Sequence, residues 1–400
     1  MLLEVPIPQS LERDNMKFTI LLPTRNRLDL LKYAVESIRM QNYRNWEIVI
    51  SDNASEEDIK GYITSLADQR IRYFRTASFV PVTDNWNNAL HHASGDYIIM
   101  LGDDDALMPE YLNTLSNYID IYAPEVIYTD AYQFAYPNVM PGHASGFIQQ
   151  GYTEFLNEHE NDSPYWLDKV QALNLVRKSM SFRISFGFNM QHYLVSRKII
   201  NDLSCSGEFY QSPYPDYYAS NILLFKADKV LIVPFPLVVI GISPKSFGYY
   251  YFNEKESVGD AFLLNSTSSD LYPSLESVIL PGSSLYTSWL YAMQTVKDNF
   301  DQDNSLNIDY SRYRFFQILT IFRRAGLPGL WRIMPRINAA EITKFLVLSL
   351  LYYLLISLGL NRFNFSLINW LRDFFSIAPK FDLKMRAVSY KNILEMVLHE

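Results

Sequence analysis

The stretch Tyr97–Pro109, "YIIMLGDDDALMP", decides the fold. A short, apolar, β-rich run, Tyr97–Leu101, drives into three consecutive aspartates, Asp103, Asp104 and Asp105. Punctuated upstream by "ASGD", the run reads as a buried strand of a parallel sheet. Downstream, "PEYLNTLSNYIDIYA" opens with a proline and an acid in its first turn, which predicts a helix. The aspartates then lie between a strand's carboxyl end and the next helix, where open α/β sheets bind ligands. Three adjacent carboxylates repel one another. Clustered there, they suit a hard divalent cation, itself often bound to a phosphate. Taken alone, the triplet also reads as a solvated acidic turn, or as Asp105 capping the helix.

Working outward, the first 135 residues alternate strand and helix. "KFTILLPT" (17–24) is a strand, and "RLDLLKYAVESIRMQ" carries a helical apolar face at Leu28, Leu31, Ala34, Val35 and Ile38. "WEIVISDNAS" is a second strand ending at Asp52, and "SEEDIKGYITSLA" is a helix with Ser55 as its N-cap. "IRYFRT", "DNWNNALHHA", "YIIML" and, beyond the helix at Pro109, "EVIYTDAYQF" continue the pattern. Repeated β-α units build a mostly parallel sheet with helices on both faces. Consecutive strand ends share one edge of such a sheet. "PTRNR" at 23–27, Asp52 and the aspartate triplet therefore line one crevice. Asp52 can accept from a base imide or a ribose hydroxyl. The triplet can hold a metal on a diphosphate, and Arg25 and Arg27 can neutralise further phosphate charge.

The first strand is not followed by GxGxxG, and GxxxxGK[ST] and GxSxG are absent, which removes the commonest uses of this sheet. The chain has 400 residues, 48% hydrophobic and 20% charged, as in packed globular chains. Its net charge of −8 is uneven: residues 301–400 hold 13 basic and 8 acidic residues, a net of +5. A basic end on an acidic protein points to a separate task there. No nucleic-acid-binding motif accompanies it. Cys205 is the one cysteine, so no disulfide framework or cysteine-pair zinc site forms within the chain. The opening "MLLEVPIPQSLERDNMKFTI" lacks a basic n-region and apolar core, so a cytoplasmic location is expected.

The motifs "FTILLPTRNR", "WEIVISDNAS" and "NWNNALHHASGDYIIMLGDDDALMP", in that order, resemble the nucleotide-sugar domain of family 2 glycosyltransferases. The resemblance covers about residues 17–135 and implies a GT-A fold, Rossmann-like, followed here by an α-helical C-terminal region. It implies that Pro23, Thr24, Arg25 and Asp52 hold the nucleoside and that Asn87 lies near the donor diphosphate. It also implies that Asp103, Asp104 and Asp105 form the D-x-D motif, binding Mn²⁺ or Mg²⁺ on that diphosphate. Two positions depart from the family pattern. Gly102 stands where the first aspartate is usual, and Trp86 where a basic residue precedes the asparagine.

The expected division is an extension at 1–16, a nucleotide-sugar half at 17–135 and an acceptor half at 136–245. A connection at 246–310 and a basic, hydrophobic helical region at 311–400 follow. Inverting transfer needs a general base, usually a carboxylate. The resemblance places it about 100 residues beyond the metal motif, at a helix start; Asp216 in "SPYPDYYASNILL" fits. Glu208 and then Asp202 are the alternatives, and a dipole-favoured helix-end acid is the structural reading of Asp216. His192 reads as an acceptor contact or a packed histidine, and "PYW" at 164–166 as a sugar platform or core. Residues 345–360, "FLVLSLLYYLLISLGL", read as a buried helix, an in-plane membrane helix or a short span.

The expected function is metal-dependent, inverting transfer of a sugar from a nucleotide sugar, UDP-linked by the fit of Asp52 to a uracil imide. A glycan or lipid-linked acceptor receives it, with peripheral contact to the cytoplasmic leaflet through the C-terminal region. A sugar nucleotidyltransferase and a non-catalytic sugar-nucleotide-binding scaffold are the alternatives. The first normally has a Gly-rich basic loop after strand 1, and "PTRNRLDLL" has no glycine.

Overall fold

The computed structural model describes residues 16–140, 142–150, 163–184, 186–246, 249–250, 253, 255–256, 272–357, 385–388 and 390–400. The elements run β1 (Phe18–Thr24), α1 (Leu28–Arg39), β2 (Trp46–Asp52), α2 (Ile59–Ser65), β3 (Ile71–Arg75), α3 (Val82–His91) and β4 (Tyr97–Met100). Next come β5 (Ala106–Leu107), α4 (Tyr111–Tyr122), β6 (Val126–Ala135), β7 (Phe147–Gln150), β8 (Tyr165–Trp166), α5 (Lys169–Met180), β9 (Tyr193–Ser196) and α6 (Arg197–Leu203). The remainder is α7 (Pro215–Lys226), β10 (Val230–Ile242), α8 (Ser284–Phe300), α9 (Tyr310–Ile333), α10 (Ala339–Ser357), β11 (Met385–Ala387) and α11 (Ile393–His399).

One mixed sheet organises the chain, in the order β11-β7-β6-β9-β4-β1-β2-β3, with β10 beside β6. The strands β4, β1, β2 and β3 are parallel. β9 enters antiparallel between β4 and β6. The central strands are mostly apolar because both faces are covered. Their period of two divides the core. Phe18, Ile20 and Leu22 join Ile48 and Ile50 under α1 and α4, while Leu21, Val49, Ile98 and Met100 face the layer of α3, α5, α7 and α8.

The order changes direction at β1, which pairs with β2 on one side and β4 on the other. Such a switch opens a crevice at the carboxyl ends of the strands. Thr24, Asp52 and the loop after Met100 therefore meet there. The other flank of that loop is set by β5, which pairs antiparallel with β10 through Ala106 and Val239. Gly241 permits this approach, since a Cβ on it would sit 1.9 Å from the Asp104 carbonyl oxygen.

The sequence-predicted elements up to residue 135 are all present, with one correction at a cap. Asp58, not Ser55, caps α2, accepting from the Gly61 N–H at 2.8 Å. Ser55 instead accepts from the Asn26 N–H at 2.9 Å and ties the β2 loop to the β1 loop. Of the apolar run 345–360, residues 358–360 lie outside the described residues; the rest belongs to α10. Among the described residues, no helix is long and apolar enough to cross a membrane.

Candidate active site

The aspartates are buried where β1, β4 and β10 end. The Thr24 hydroxyl donates to Asp103 Oδ2 at 2.7 Å, and the Arg27 guanidinium donates to Asp103 Oδ1 at 2.9 Å. Arg27 also lies 3.9 Å from Asp104 Oδ1 and donates to the Lys245 carbonyl. Asp104 Oδ2 accepts from the hydroxyls of Ser243, at 2.9 Å, and Ser246. Asp105 is held differently. Its Oδ2 accepts from the Gly102 N–H at 2.9 Å and the Gln191 amide at 2.8 Å, and its Oδ1 from the Gly241 N–H at 2.8 Å. Both Asp105 oxygens are thus committed to fastening the loop to β10 and to the turn before β9.

Charge in this crevice is unevenly compensated. Burial works against the Arg27 charge, but Asp103 and Asp104 more than offset it and hold its pKa above the ordinary value. Burial raises the Asp103 carboxyl; Arg27 opposes the rise and Asp104 adds to it. Burial and then Asp104 push Asp105 well up, against its three donors. Asp103 and Asp104 thus share one guanidinium, and Asp105 has none among the described residues. Among the described residues, no group of three or more His, Cys, Asp or Glu is arranged as a ready-made cation site.

Gly102 has a local reason. A Cβ there would sit 2.4 Å from Oδ2 of the Asp105 carboxylate, which two donors on that oxygen and one on Oδ1 pin in place. Gly102→Asp, the family's usual residue, is therefore expected to destabilise this chain by about 1–3 kcal/mol, the scale of overpacking a filled site. Thermal or urea unfolding measures it, and an unchanged midpoint would show that the Asp105 anchor yields.

Asp52 ends β2 with no solvent exposure. Its Oδ1 accepts from the Ser55 N–H at 2.9 Å, and its Oδ2 from the Tyr73 hydroxyl at 2.6 Å and Arg75 at 3.3 Å. Pro23 and Thr24 sit beside it, in register with Ser51 and Asp52. Arg25 turns to this side, donating to the Asn53 carbonyl at 2.5 Å with its guanidinium 3.9 Å from the Phe79 ring centre. Arg25 and Arg27 thus divide: one faces the β2 end and the other the aspartates.

Asn87 pairs with the backbone of Tyr210. Its amide donates to the Tyr210 carbonyl at 2.8 Å and its carbonyl accepts the Tyr210 N–H at 3.1 Å. Trp86 meets the same tyrosine edge-to-face at 5.2 Å. Together they grip the loop that leads into α7. Asp216 stands in the first turn of α7, after Pro215 at its start. The Met190 N–H donates to Asp216 Oδ1 at 2.9 Å. Burial raises the Asp216 carboxyl to about 7, and the Met190 N–H opposes the rise only in part. Because Gln191 holds Asp105, two consecutive residues of the turn Met190–His192 connect the aspartate loop to Asp216.

The other candidates lie elsewhere. Glu208 is exposed and pairs with His91 at 2.8 Å, and Asp202 pairs with Lys198 at 3.0 Å along α6. His192 is buried, stacks on Tyr128 at 4.9 Å and has its Nδ1 2.8 Å from the Thr129 carbonyl oxygen. Burial lowers its pKa to about 4, so it stays neutral at pH 7. Trp166 is exposed at β8, edge-to-face with Tyr122 at 5.9 Å. Sequence reasoning missed Ser243 and Ser246. Their segment, "ISPKS", carries no motif, and only the β5–β10 pairing brings it to Asp104.

Residues 19–180 match the family model for glycosyl transferase family 2. The mixed sheet with its switch point and the helical region that follows agree with the GT-A fold expected from the sequence. The GalNAc(5)-diNAcBac-PP-undecaprenol beta-1,3-glucosyltransferase of Campylobacter jejuni is 38% identical over 102 residues, 25% of this chain and 33% of that protein. The UDP-Glc:alpha-D-GlcNAc-diphosphoundecaprenol beta-1,3-glucosyltransferase WfgD of Escherichia coli is 27% identical over 92 residues, 23% of this chain and 36% of that protein. The chain thus spans about a third of the length of these relatives. The structure of S. aureus TarS 1–349 in complex with UDP-GlcNAc aligns with a TM-score of 0.49 at 11% identity, covering 78% of this chain and 92% of that one.

Proposed function

We propose that this protein is an inverting glycosyltransferase. It moves a sugar from a nucleotide-diphosphate sugar to a hydroxyl of a glycan or lipid-linked acceptor in polysaccharide or glycoconjugate synthesis. The observation that carries the reading is the pairing of two unlike acidic sites through one turn: the aspartate loop on Gln191 and Asp216 on Met190. One is rich in compressed negative charge. The other is a single carboxyl poised near neutral pH. The names of both relatives describe glucosyl transfer to undecaprenol-linked sugars, and one specifies UDP-Glc, which supports a UDP-sugar donor here.

The hard carboxylate oxygens of Asp103 and Asp104 fit Mn²⁺ or Mg²⁺. Asp105 supports their loop. A bound cation would neutralise the donor's diphosphate as it leaves. Arg27, already between the two carboxylates, adds positive charge at the same place. On the other side, Asp216 accepts the acceptor hydroxyl's proton as that oxygen attacks the anomeric carbon. A base with a pKa near the working pH is well matched to this task. Asp52 with Arg25 forms the nucleoside end, where the β2 carboxylate recognises uracil or ribose.

Calorimetric titration of nucleoside diphosphates, with and without Mn²⁺, tests the reading. UDP is expected to bind more tightly with the metal present. Asp52→Ala is expected to weaken that binding by about 1–3 kcal/mol, the scale of a hydrogen bond to a charged group. Absence of binding by every nucleotide would overturn the donor assignment. Unchanged UDP affinity in a folded Asp52→Ala would remove Asp52 from the pocket.

A further inference from the structure

Helices α9 and α10 present an apolar surface that the catalytic reading does not use. α9 is broken at Gly326, where φ is +58°, and Pro328 starts a new helical direction. Beyond this elbow, Leu327 and Trp331 are one helical turn apart and 64% and 72% exposed. On α10, Leu346, Leu350 and Tyr353 recur at helical spacing and are 58%, 57% and 67% exposed. The two helices touch through Phe322 and Phe345, edge-to-face at 5.6 Å. Large apolar side chains left in water on neighbouring helices mark a contact surface.

The charges around this surface select its occupant. Residues 310–357 hold seven Arg and Lys against a single acid, Glu341. Glu341 is already paired with Arg314, and Arg324 is paired with Glu256. Arg323 and Arg332 flank the elbow, are exposed and have no acidic partner among the described residues. A second copy packed on this face by two-fold symmetry would bring basic groups against basic groups. An anionic lipid surface instead offers acyl chains to Leu327 and Trp331 and phosphates to the arginines. Tryptophan and arginine suit that boundary, with an apolar body inward and a polar end outward.

We propose that the α9 elbow and the outward row of α10 form an in-plane docking surface for an anionic phospholipid bilayer. The protein inserts Leu327 and Trp331 at the headgroup boundary without crossing the membrane. This inference stands on the surface alone and does not depend on the sugar-transfer reading.

The test is co-sedimentation of the full chain with phosphatidylcholine vesicles, with and without phosphatidylglycerol. Binding is expected to the anionic vesicles and to fall as salt rises. The pair Leu327→Glu and Trp331→Glu, both in exposed positions, is expected to lose about tenfold or more in partitioning at an unchanged melting temperature. Arg323→Glu with Arg332→Glu is expected to lose the preference for anionic vesicles by a similar factor. Equal binding to both vesicle types, or none to either, overturns the proposal. So does wild-type partitioning by the Leu327/Trp331 pair. A concentration-dependent dimer that ignores vesicles and is dissolved by that pair would assign the surface to self-association instead.

Discussion

Asp216→Asn is expected to slow sugar transfer by about 10²–10⁴-fold, the range for removing a general base, while nucleotide and metal affinity stay at wild-type values. The asparagine keeps the side chain's shape and can still accept from the Met190 N–H, which lies 2.9 Å from Asp216 Oδ1. It cannot take a proton. Single-turnover transfer beside donor titration separates the two effects. Glu208→Gln, altering an exposed partner of His91, is expected to transfer at the normal rate. A normal rate in Asp216→Asn would move the base elsewhere, and loss in Glu208→Gln alone would assign it there.

The same carboxyl fixes the expected pH dependence. Asp216 works as a base only when ionised, so transfer should rise with pH along a limb centred at about 7. Its folded pKa is raised, so the folded state binds its proton more tightly than the unfolded chain does. That contribution to stability is complete below the unfolded value, about 3.9, and is lost as pH rises through the folded value. Asp216→Asn has no charge to bury. It is expected to melt higher than the wild type on the alkaline side and to lose that advantage near pH 4.

Much of this arrangement was legible in the sequence because it is local. Short apolar runs ending in "PTRNR", "SDNAS" and "GDDD" specify strands whose carboxyl ends carry polar loops, and strand alternation implies a shared edge. Pro215 before Asp216 likewise marks a helix start. The unlike roles of the three aspartates were not legible. They depend on which neighbour each carboxylate meets. Gly241 and Ser243 lie more than 130 positions away and reach the loop only through β10. Asn87 shows the same limit. The family resemblance implies a donor contact for it, yet its amide closes on the Tyr210 backbone, a contact set by loop packing that no period encodes.

The aspartates themselves should separate into two classes when replaced singly. Asp103→Asn and Asp104→Asn each remove one negative charge from a crowded crevice and keep the side-chain volume. Their folds are expected to remain near wild type. Their Mn²⁺-dependent gain in UDP affinity is expected to fall by more than the roughly 10–100-fold typical of changes outside the ligand shell. Asp105→Ala should behave differently. It strands the Gly102 N–H, the Gly241 N–H and the Gln191 amide together. Each buried donor left without an acceptor costs about 1–3 kcal/mol. Entering water and relief of a buried, repelled carboxyl offset part of this, so a net loss near 2–3 kcal/mol is expected. Because Gln191 and Met190 are neighbours, the loosened turn should also disturb Asp216, lowering the transfer rate even at saturating donor. Denaturant unfolding, metal-dependent calorimetry and single-turnover rates on the three variants decide the matter. Full stability with lost metal response in Asp105→Ala, together with an intact metal response in the other two, would reverse the assignment and make Asp105 the ligand.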